Sequence, residues 1–279
     1  MRTEGRVFGG IECTILSDGW NDYDPEVIFA NIAPDRWEPF TGQQLTPDGS
    51  LRLPYHAMLL RSEGRVVLVD SGLGALASPE GSAGKLLQSL QAEGCGPEDV
   101  DTVIVSHAHP DHIGGLVRIT DGHPVPRFPR ARVLMSKDEW NFWTSDASAG
   151  MPDTMRRATQ LVLPALRDAA VIDTTDGDSE LLAGISTLAA PGHTPGHMAI
   201  LISPDERGAI YLGDAVVHQA QVENPDWVSA VDHDPVQTVA SRRRLLELAS
   251  ARDLQAMAFH VADPGRVSRV DGRFRFVPE

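Results

Sequence analysis

Apolar and polar positions alternate along most of this chain in short strand-like runs, separated by stretches with helical spacing. Ile11 to Leu16 predicts a first strand, closed by the turn signal Ser17-Asp18-Gly19. From Trp20 to Pro54 the pattern lapses into Pro, Asp, Asn and aromatics without a period. That predicts a long surface excursion, of the kind that more often serves function or an oligomer contact than nothing. Strands follow at His56 to Arg61 and Arg65 to Val69, joined as a hairpin by Ser62-Glu63-Gly64. Leu86, Leu87 and Leu90 give Gly84 to Ala92 a helical face, and the β-branched run Thr102 to Val105 reads as a buried strand. Ala131 to Met135 is a strand, and helices are expected over Lys137 to Trp143 and Pro152 to Leu166. Leu181 to Leu188 is strand or hairpin, with strands again at Met198 to Ile202, Ala209 to Leu212 and Leu254 to Phe259. Pro235 to Ser250 is a helix with Val236, Val239, Leu245 and Leu248 inside and Arg242-Arg243-Arg244 on a solvated flank. Val267 to Val277 closes the chain as a hairpin around Asp271-Gly272. Strands alternating with helices and joined by several direct hairpins indicate a layered α/β protein with mixed sheets. Residues 1–279 read as a single domain, with 20–54 as its N-terminal excursion.

Composition changes this picture only by exclusion. The formal charge of −15 argues against nucleic acid and anionic membranes, both of which need a basic face. No apolar run is long enough to span a bilayer, and no apolar segment follows Met1 to Arg6 as a secretory leader would require. The only two cysteines, Cys13 and Cys95, lack metal-ligand spacing and suggest reduced thiols, hence a cytoplasmic setting.

The candidate chemistry is concentrated at Val105-Ser106-His107-Ala108-His109-Pro110-Asp111-His112-Ile113-Gly114-Gly115. His107 and His109 are two apart in extended backbone and point the same way. Pro110 suits the first turn of a helix, which would bring Asp111 and His112 to the same spot from the other side. Imidazoles plus a carboxylate are the donors a borderline ion such as zinc prefers. Asp70, His193, Asp214 and His260 also each follow an apolar strand-like segment, so aligned sheets would gather them at one edge. These are too many donors for one tetrahedral zinc, and a carboxylate-bridged pair of ions would use them all.

The series His107-x-His109-x-Asp111-His112, His193, Asp214 and His260 resembles the ligand set of the metallo-β-lactamase-fold hydrolases, over most of the chain. The resemblance implies a four-layer αβ/βα sandwich with two divalent metals in a groove at one sheet edge. It assigns His107, His109 and His193 to one metal, Asp111, His112 and His260 to the other, and Asp214 to both, with Asp70 supporting the ligands. Zinc is the first expectation for the two ions, although the same N/O donors accept Mn, Fe or Co. Secreted β-lactamases usually place cysteine or serine where Asp214 stands, and flavo-diiron proteins place glutamate where His109 stands. The nearest resemblance is to acyl-homoserine-lactone lactonases and methyl-parathion-hydrolase-like relatives. It rests on the long aromatic N-terminal excursion, on His109-Pro110-Asp111-His112-Ile113-Gly114-Gly115 and on Gly213-Asp214-Ala215-Val216-Val217-His218.

The implied activity is hydrolysis of a small-molecule lactone or related ester by a metal-bridging hydroxide. Asp111 would orient the hydroxide and carry a proton to the leaving group. His218, near where lactonases place a tyrosine, is the candidate to hydrogen-bond the substrate or oxyanion. Phosphotriester or thioester hydrolysis at the same metals is the enzyme alternative, and a non-catalytic metal-containing sensor is the alternative outside catalysis. Trp20, Trp37, Phe40 and Trp227 could line the groove or a homodimer contact. Trp140, Phe142 and Trp143 could wall a pocket but at helical spacing are more often core.

Overall fold

The computed structural model describes residues 5–203 and 207–279. Met1 to Glu4, on which the expectation of an absent leader partly rests, lie outside the described residues. The chain forms two compact units, the first taking Met1–Gly19 with Tyr55–Gly177 and the second Trp20–Pro54 with Asp178–Glu279. No helix among the described residues is long and apolar enough to cross a membrane.

The first sheet is built from β1 (Arg6–Phe8), β2 (Ile11–Tyr23), β3 (Leu51–Ser62), β4 (Arg65–Val69) and β5 (Thr102–Ile104). A separate two-stranded ribbon follows, β6 (Val117–Thr120) with β7 (His123–Pro126), and then β8 (Arg132–Ser136) and β9 (Ile172–Thr175) complete the sheet. Its order is β1-β2-β3-β4-β5-β8-β9, and β4, β5, β8 and β9 run parallel. The hairpin β3–β4 turns on Glu63 and Gly64, both at positive φ, as a two-residue turn that matches strand twist requires. Leu59, Leu68, Val103 and Val133 from the strands pack with Leu90, Phe142, Trp143, Leu163 and Leu166 from the helices Leu86–Ala92, Lys137–Trp143 and Asp153–Asp168. Phe142 and Trp143 are therefore core, with Trp140 packed against them.

One turn expected from sequence does not exist. Ser17-Asp18-Gly19 lies inside β2, and Asp18 is fully buried. Its carboxylate accepts from the amides of Leu73 (2.9 Å), Gly84 (3.1 Å) and Leu86 (2.8 Å). Gly19 has φ 107, and a Cβ there would sit 2.0 Å from the Ser82 carbonyl oxygen. Long-range backbone donors thus account for Asp18, and the close approach of the Ser82 backbone for Gly19.

The second sheet runs β10 (Ser179–Leu182), β11 (Ile185–Ala189), β12 (Met198–Ile202), β13 (Ala209–Tyr211), β14 (Gln255–Met257), β15 (Gly265–Val270) and β16 (Arg273–Pro278), in that order. Among the described residues of this sheet only β13–β14 is a parallel pairing; the closing hairpin β15–β16 turns on Asp271-Gly272 as expected. Helix Pro235–Ala251 is capped by the Asp234 side chain, which accepts from Gln237 N at 3.0 Å. Its inner face corrects the sequence reading at two places. Val236 is 81 % exposed, because it lies in the first turn ahead of the packed surface. Arg242 is fully buried instead of solvated: Nε donates to the Ala215 carbonyl, and Nη1 to those of Pro225 and Trp227. Arg243 and Arg244 do lie on the surface.

Segment 20–54 carries single helical turns at Pro25–Ile28 and Pro34–Trp37. It has its own buried cluster, in which Ile28, Phe29, Trp37, Leu51 and Leu53 pack on Val217, Ala220 and Trp227. Phe29 stacks on Trp37 at 5.5 Å and meets Trp227 edge-on at 5.7 Å. Trp20, by contrast, is partly exposed beneath the Arg52 guanidinium.

Candidate functional site

Parallel strands β4 and β5 end side by side, with Val69 paired to Ile104, so Asp70 and the loop after Ile104 leave the sheet at the same edge. Asp70 is the hub of the first unit's donor cluster. Its Oδ1 accepts from Ser106 N (2.8 Å), and its Oδ2 from Ser106 Oγ (2.7 Å) and His112 Nδ1 (2.8 Å). These bonds hold Asp70 at φ 60, a left-handed conformation that costs a non-glycine residue about 1–2 kcal/mol. With Nδ1 donating to a carboxylate, the neutral His112 ring keeps Nε2 as its basic nitrogen, the form that ligates a cation.

Pro110 opens the short helix Pro110–Ile113 with His109 as its N-cap residue, as the spacing predicted. The His107 ring lies 4.6 Å from that of His109 and 4.0 Å from that of His112, and His107 Nδ1 is 3.1 Å from Ser106 Oγ. Asp111 Oδ2 sits 4.0 Å from His112 Nε2 and is slightly open to solvent. The helix presses against backbone 71–73, because a Cβ on Gly114 or Gly115 would come within 2.1 Å of Leu73 O or 1.9 Å of Ser71 O. Behind the cluster, Glu139 Oε1 accepts from Ala108 N and from Trp143 Nε1, each at 2.7 Å.

The second unit repeats the device at β13 and β14. Tyr211 pairs with Met257, and Asp214 and His260 each stand three residues further on, at the strands' C-terminal ends. Asp214 Oδ2 lies 3.3 Å from His260 Nε2 and 3.3 Å from His193 Nε2. His193 Nδ1 is held by Asp232 Oδ1 at 2.8 Å, while Asp232 Oδ2 accepts from Ser229 N at 2.9 Å. Burial alone would depress the His193 pKa, but the carboxylates of Asp214 and Asp232 more than offset it and hold the group up at about 9. His260 Nδ1 is 3.2 Å from the Pro54 carbonyl, and Tyr23 meets the His260 ring edge-on at 6.3 Å. His197 Nε2 accepts from the Asp214 amide at 3.0 Å, so it fixes the backbone that presents that carboxylate. The loop carrying His193 comes close to helix Pro235–Ala251 through Gly192, whose Cβ would lie 2.1 Å from Thr238 N at φ 135.

Thus His107, His109, Asp111 and His112 cluster in the first unit, and His193, Asp214 and His260 in the second. Five imidazoles and two carboxylates fit borderline divalent cations. The anchoring fits too: His112, His193 and His260 each have Nδ1 against a carboxylate or carbonyl oxygen, which leaves Nε2 for a metal.

His218 has both nitrogens engaged within its own unit. Nδ1 accepts from Ala220 N at 3.1 Å, so the ring donates from Nε2 to Gln44 Oε1 at 2.9 Å. Burial pushes its pKa down to about 4, against about 6.5 in an unfolded chain. Between these values the unfolded chain binds a proton that the folded chain refuses, so stability falls as pH drops through the window. The loss is about 3 kcal/mol in total. Urea unfolding in chelator should show the stability gap between the native chain and His218→Gln narrowing by about that amount from pH 7 to pH 4. A pH-independent gap would contradict a buried neutral His218.

Sequence reasoning missed Asp232, Glu139 and Gln44. None lies at a motif spacing from the residue it serves, and Glu139 reads as the polar side of a helix.

The comparisons with known proteins follow the same lines. A family model described as the metallo-beta-lactamase superfamily matches residues 51–254. An N-acyl homoserine lactonase from Bacillus thuringiensis is 27% identical over 222 residues, covering 73% of this chain and 80% of the relative. Metallo-beta-lactamase domain-containing protein 1 of Xenopus laevis is 29% identical over 68% of this chain and 69% of its own. Among solved structures, AidC, described as a dizinc quorum-quenching lactonase, superposes with a TM-score of 0.83 at 25% identity, covering 99% of this chain and 97% of its own. AbOPH, described as a hydrolase in the beta lactamase superfamily, gives 0.85 at 25% identity, over 100% and 97%. With the family model spanning nearly three-quarters of its length and both halves of its His/Asp series built at strand ends, this chain belongs to the metallo-beta-lactamase superfamily.

Proposed function

We propose that this protein is a dinuclear metal-dependent hydrolase that opens a lactone ring or cleaves a related ester. The observation that carries the reading is the Nδ1 anchoring of His112 by Asp70 and of His193 by Asp232, which prepares imidazoles as ligands at a cost in buried carboxylates. The donors that would hold the ions are His107, His109, Asp111 and His112 of the first unit and His193, Asp214 and His260 of the second. When bound, the two ions supply Lewis acidity that activates water near neutral pH and polarises the scissile carbonyl. The chain's own residues do the rest. Asp111, the ligand with some solvent access, takes the proton of the attacking water and passes it to the leaving alkoxide. Asp214 and its anchored neighbours stay fixed through the reaction, so no reorganisation is needed as charge develops. We reassign His218 from substrate contact to holding segment 20–54 through Gln44. The lactone is favoured over phosphotriester or thioester because the named lactonases are similar along most of this chain. Two buried free thiols accord with a reducing compartment such as the cytoplasm.

Purified protein loaded with zinc or manganese should bind two ions per chain by elemental analysis. It should turn over acyl-homoserine lactones faster than aryl esters, thioesters or phosphotriesters. Full metal occupancy without turnover of any of them would point to a binding protein, and a preference for another substrate class would refute the lactonase assignment.

A further inference from the structure

Glu139 is a third fully buried carboxylate beside the donor residues, and its role differs from that of an ordinary core group. Burying a carboxylate costs several kcal/mol unless its lone pairs are satisfied. The helix Lys137–Trp143 that carries it is set by the Ser136 side chain, which accepts from Glu139 N. Both hydrogen bonds described above fall on one oxygen, Oε1: the Ala108 amide, between His107 and His109, and the Trp143 indole. Trp143 itself meets the His109 ring edge-on, with centroids 6.1 Å apart. The carboxylate is thereby pinned against the backbone amide next to His109. Two other imidazoles of the series already have their Nδ1 on a buried carboxylate, His112 on Asp70 and His193 on Asp232.

We propose that Glu139 is the positioning residue of His109, its Oε2 accepting the Nδ1 proton and so fixing the tautomer that presents Nε2 to a cation. This rests on His109 being a metal ligand, as in the proposed function. Glu139 then does two things with two oxygens: Oε1 sets the backbone between the paired histidines, and Oε2 sets the second ring. Trp143 locks the carboxylate in place from the far side.

The test uses the full chain, metal-free and with ¹⁵N-labelled histidine, at about pH 8. Long-range ¹H–¹⁵N spectra, with His109 assigned by its loss in His109→Asn, should show the Nδ1–H tautomer in the native chain. In Glu139→Gln the carbonyl oxygen can still serve Ala108 and Trp143, while the amide donor now faces His109 Nδ1. His109 should switch to the Nε2–H form, and zinc affinity, read by competition with a chromophoric chelator, should fall about 10–100-fold. Trp143→Phe removes the indole donor to the same carboxylate but leaves the His109 contact, so it should keep the native tautomer and lose less than about threefold in affinity. An Nε2–H tautomer in the native chain overturns the proposal, as does an equal loss of affinity in both variants. Because the tautomer is read without metal, a native chain that bound no zinc would sink the dinuclear reading while the spectrum still decided the Glu139 assignment.

Discussion

Asp214→Ala is expected to lose hydrolysis by about 10⁴-fold or more and to retain fewer than two metal ions per chain. Asp214 Oδ2 lies 3.3 Å from both His193 Nε2 and His260 Nε2. Removing it leaves two buried imidazoles with no anion between their Nε2 atoms, and a proton or cation there keeps only Asp232, on the other nitrogen of His193, as counter-charge. Asp214→Asn keeps the volume and the backbone bond to His197 Nε2 but not the charge, so it should lose metal affinity while melting near the native chain in chelator. Asp111→Asn is the contrasting variant: its amide oxygen can still face an ion, so in excess metal the ions should be retained while turnover falls by about 10²–10⁴-fold, because an amide cannot carry the proton. Turnover of Asp214→Ala within tenfold of native, with both ions bound, would end the dinuclear account. Native-like turnover of Asp111→Asn would remove the proton-carrier role alone.

Replacing Arg242 by Met should destabilise the fold by about 3–5 kcal/mol, without touching any donor residue. Methionine fills similar space but offers no N–H to the carbonyls of Ala215, Pro225 and Trp227, which Arg242 ties together. Burial pulls the guanidinium pKa down to about 10, still well above neutrality, so the group remains a buried cation supported by carbonyl dipoles. Ala215 follows Asp214 directly, and Trp227 belongs to the buried aromatic cluster of segment 20–54. A loss at Arg242 therefore loosens two regions at once. Thermal melts of metal-free protein should fall by roughly 10 °C, at about 2–4 °C per kcal/mol for a chain this size. Arg242→Lys should recover only part of that, since one ammonium cannot replace a fork of donors. A melting point unchanged within 2 °C for Arg242→Met would show that the buried cation contributes nothing net.

Arg242 also marks where reading the sequence stops working. Three consecutive arginines on a helix look like a solvated flank, because periodicity reports spacing and not what lies across from each position. Only packing against the Ala215 and Trp227 loops buries the first and leaves the other two on the surface. Ser17-Asp18-Gly19 failed similarly: its local turn preference is worth about a kcal/mol, and three long-range amides on Asp18 outweigh it. Val236 was placed inside by a pattern that ignores where the packed surface of the helix begins.

The sequence by itself determined the strand–helix alternation, the two hairpins with acidic-glycine turns, and the donor residue types of the His107–His112 motif. These rest on local physics: side-chain period, φ preference and the ligand chemistry of imidazole and carboxylate. Tertiary structure alone decided that Asp232 and Glu139 stand behind the histidines, that His218 spends both nitrogens internally, and that Arg242 is core. Apart from the His218–Ala220 contact, those assignments join residues tens to hundreds of positions apart, and no spacing rule reaches across a chain whose partners are chosen by how its sheets and loops fold.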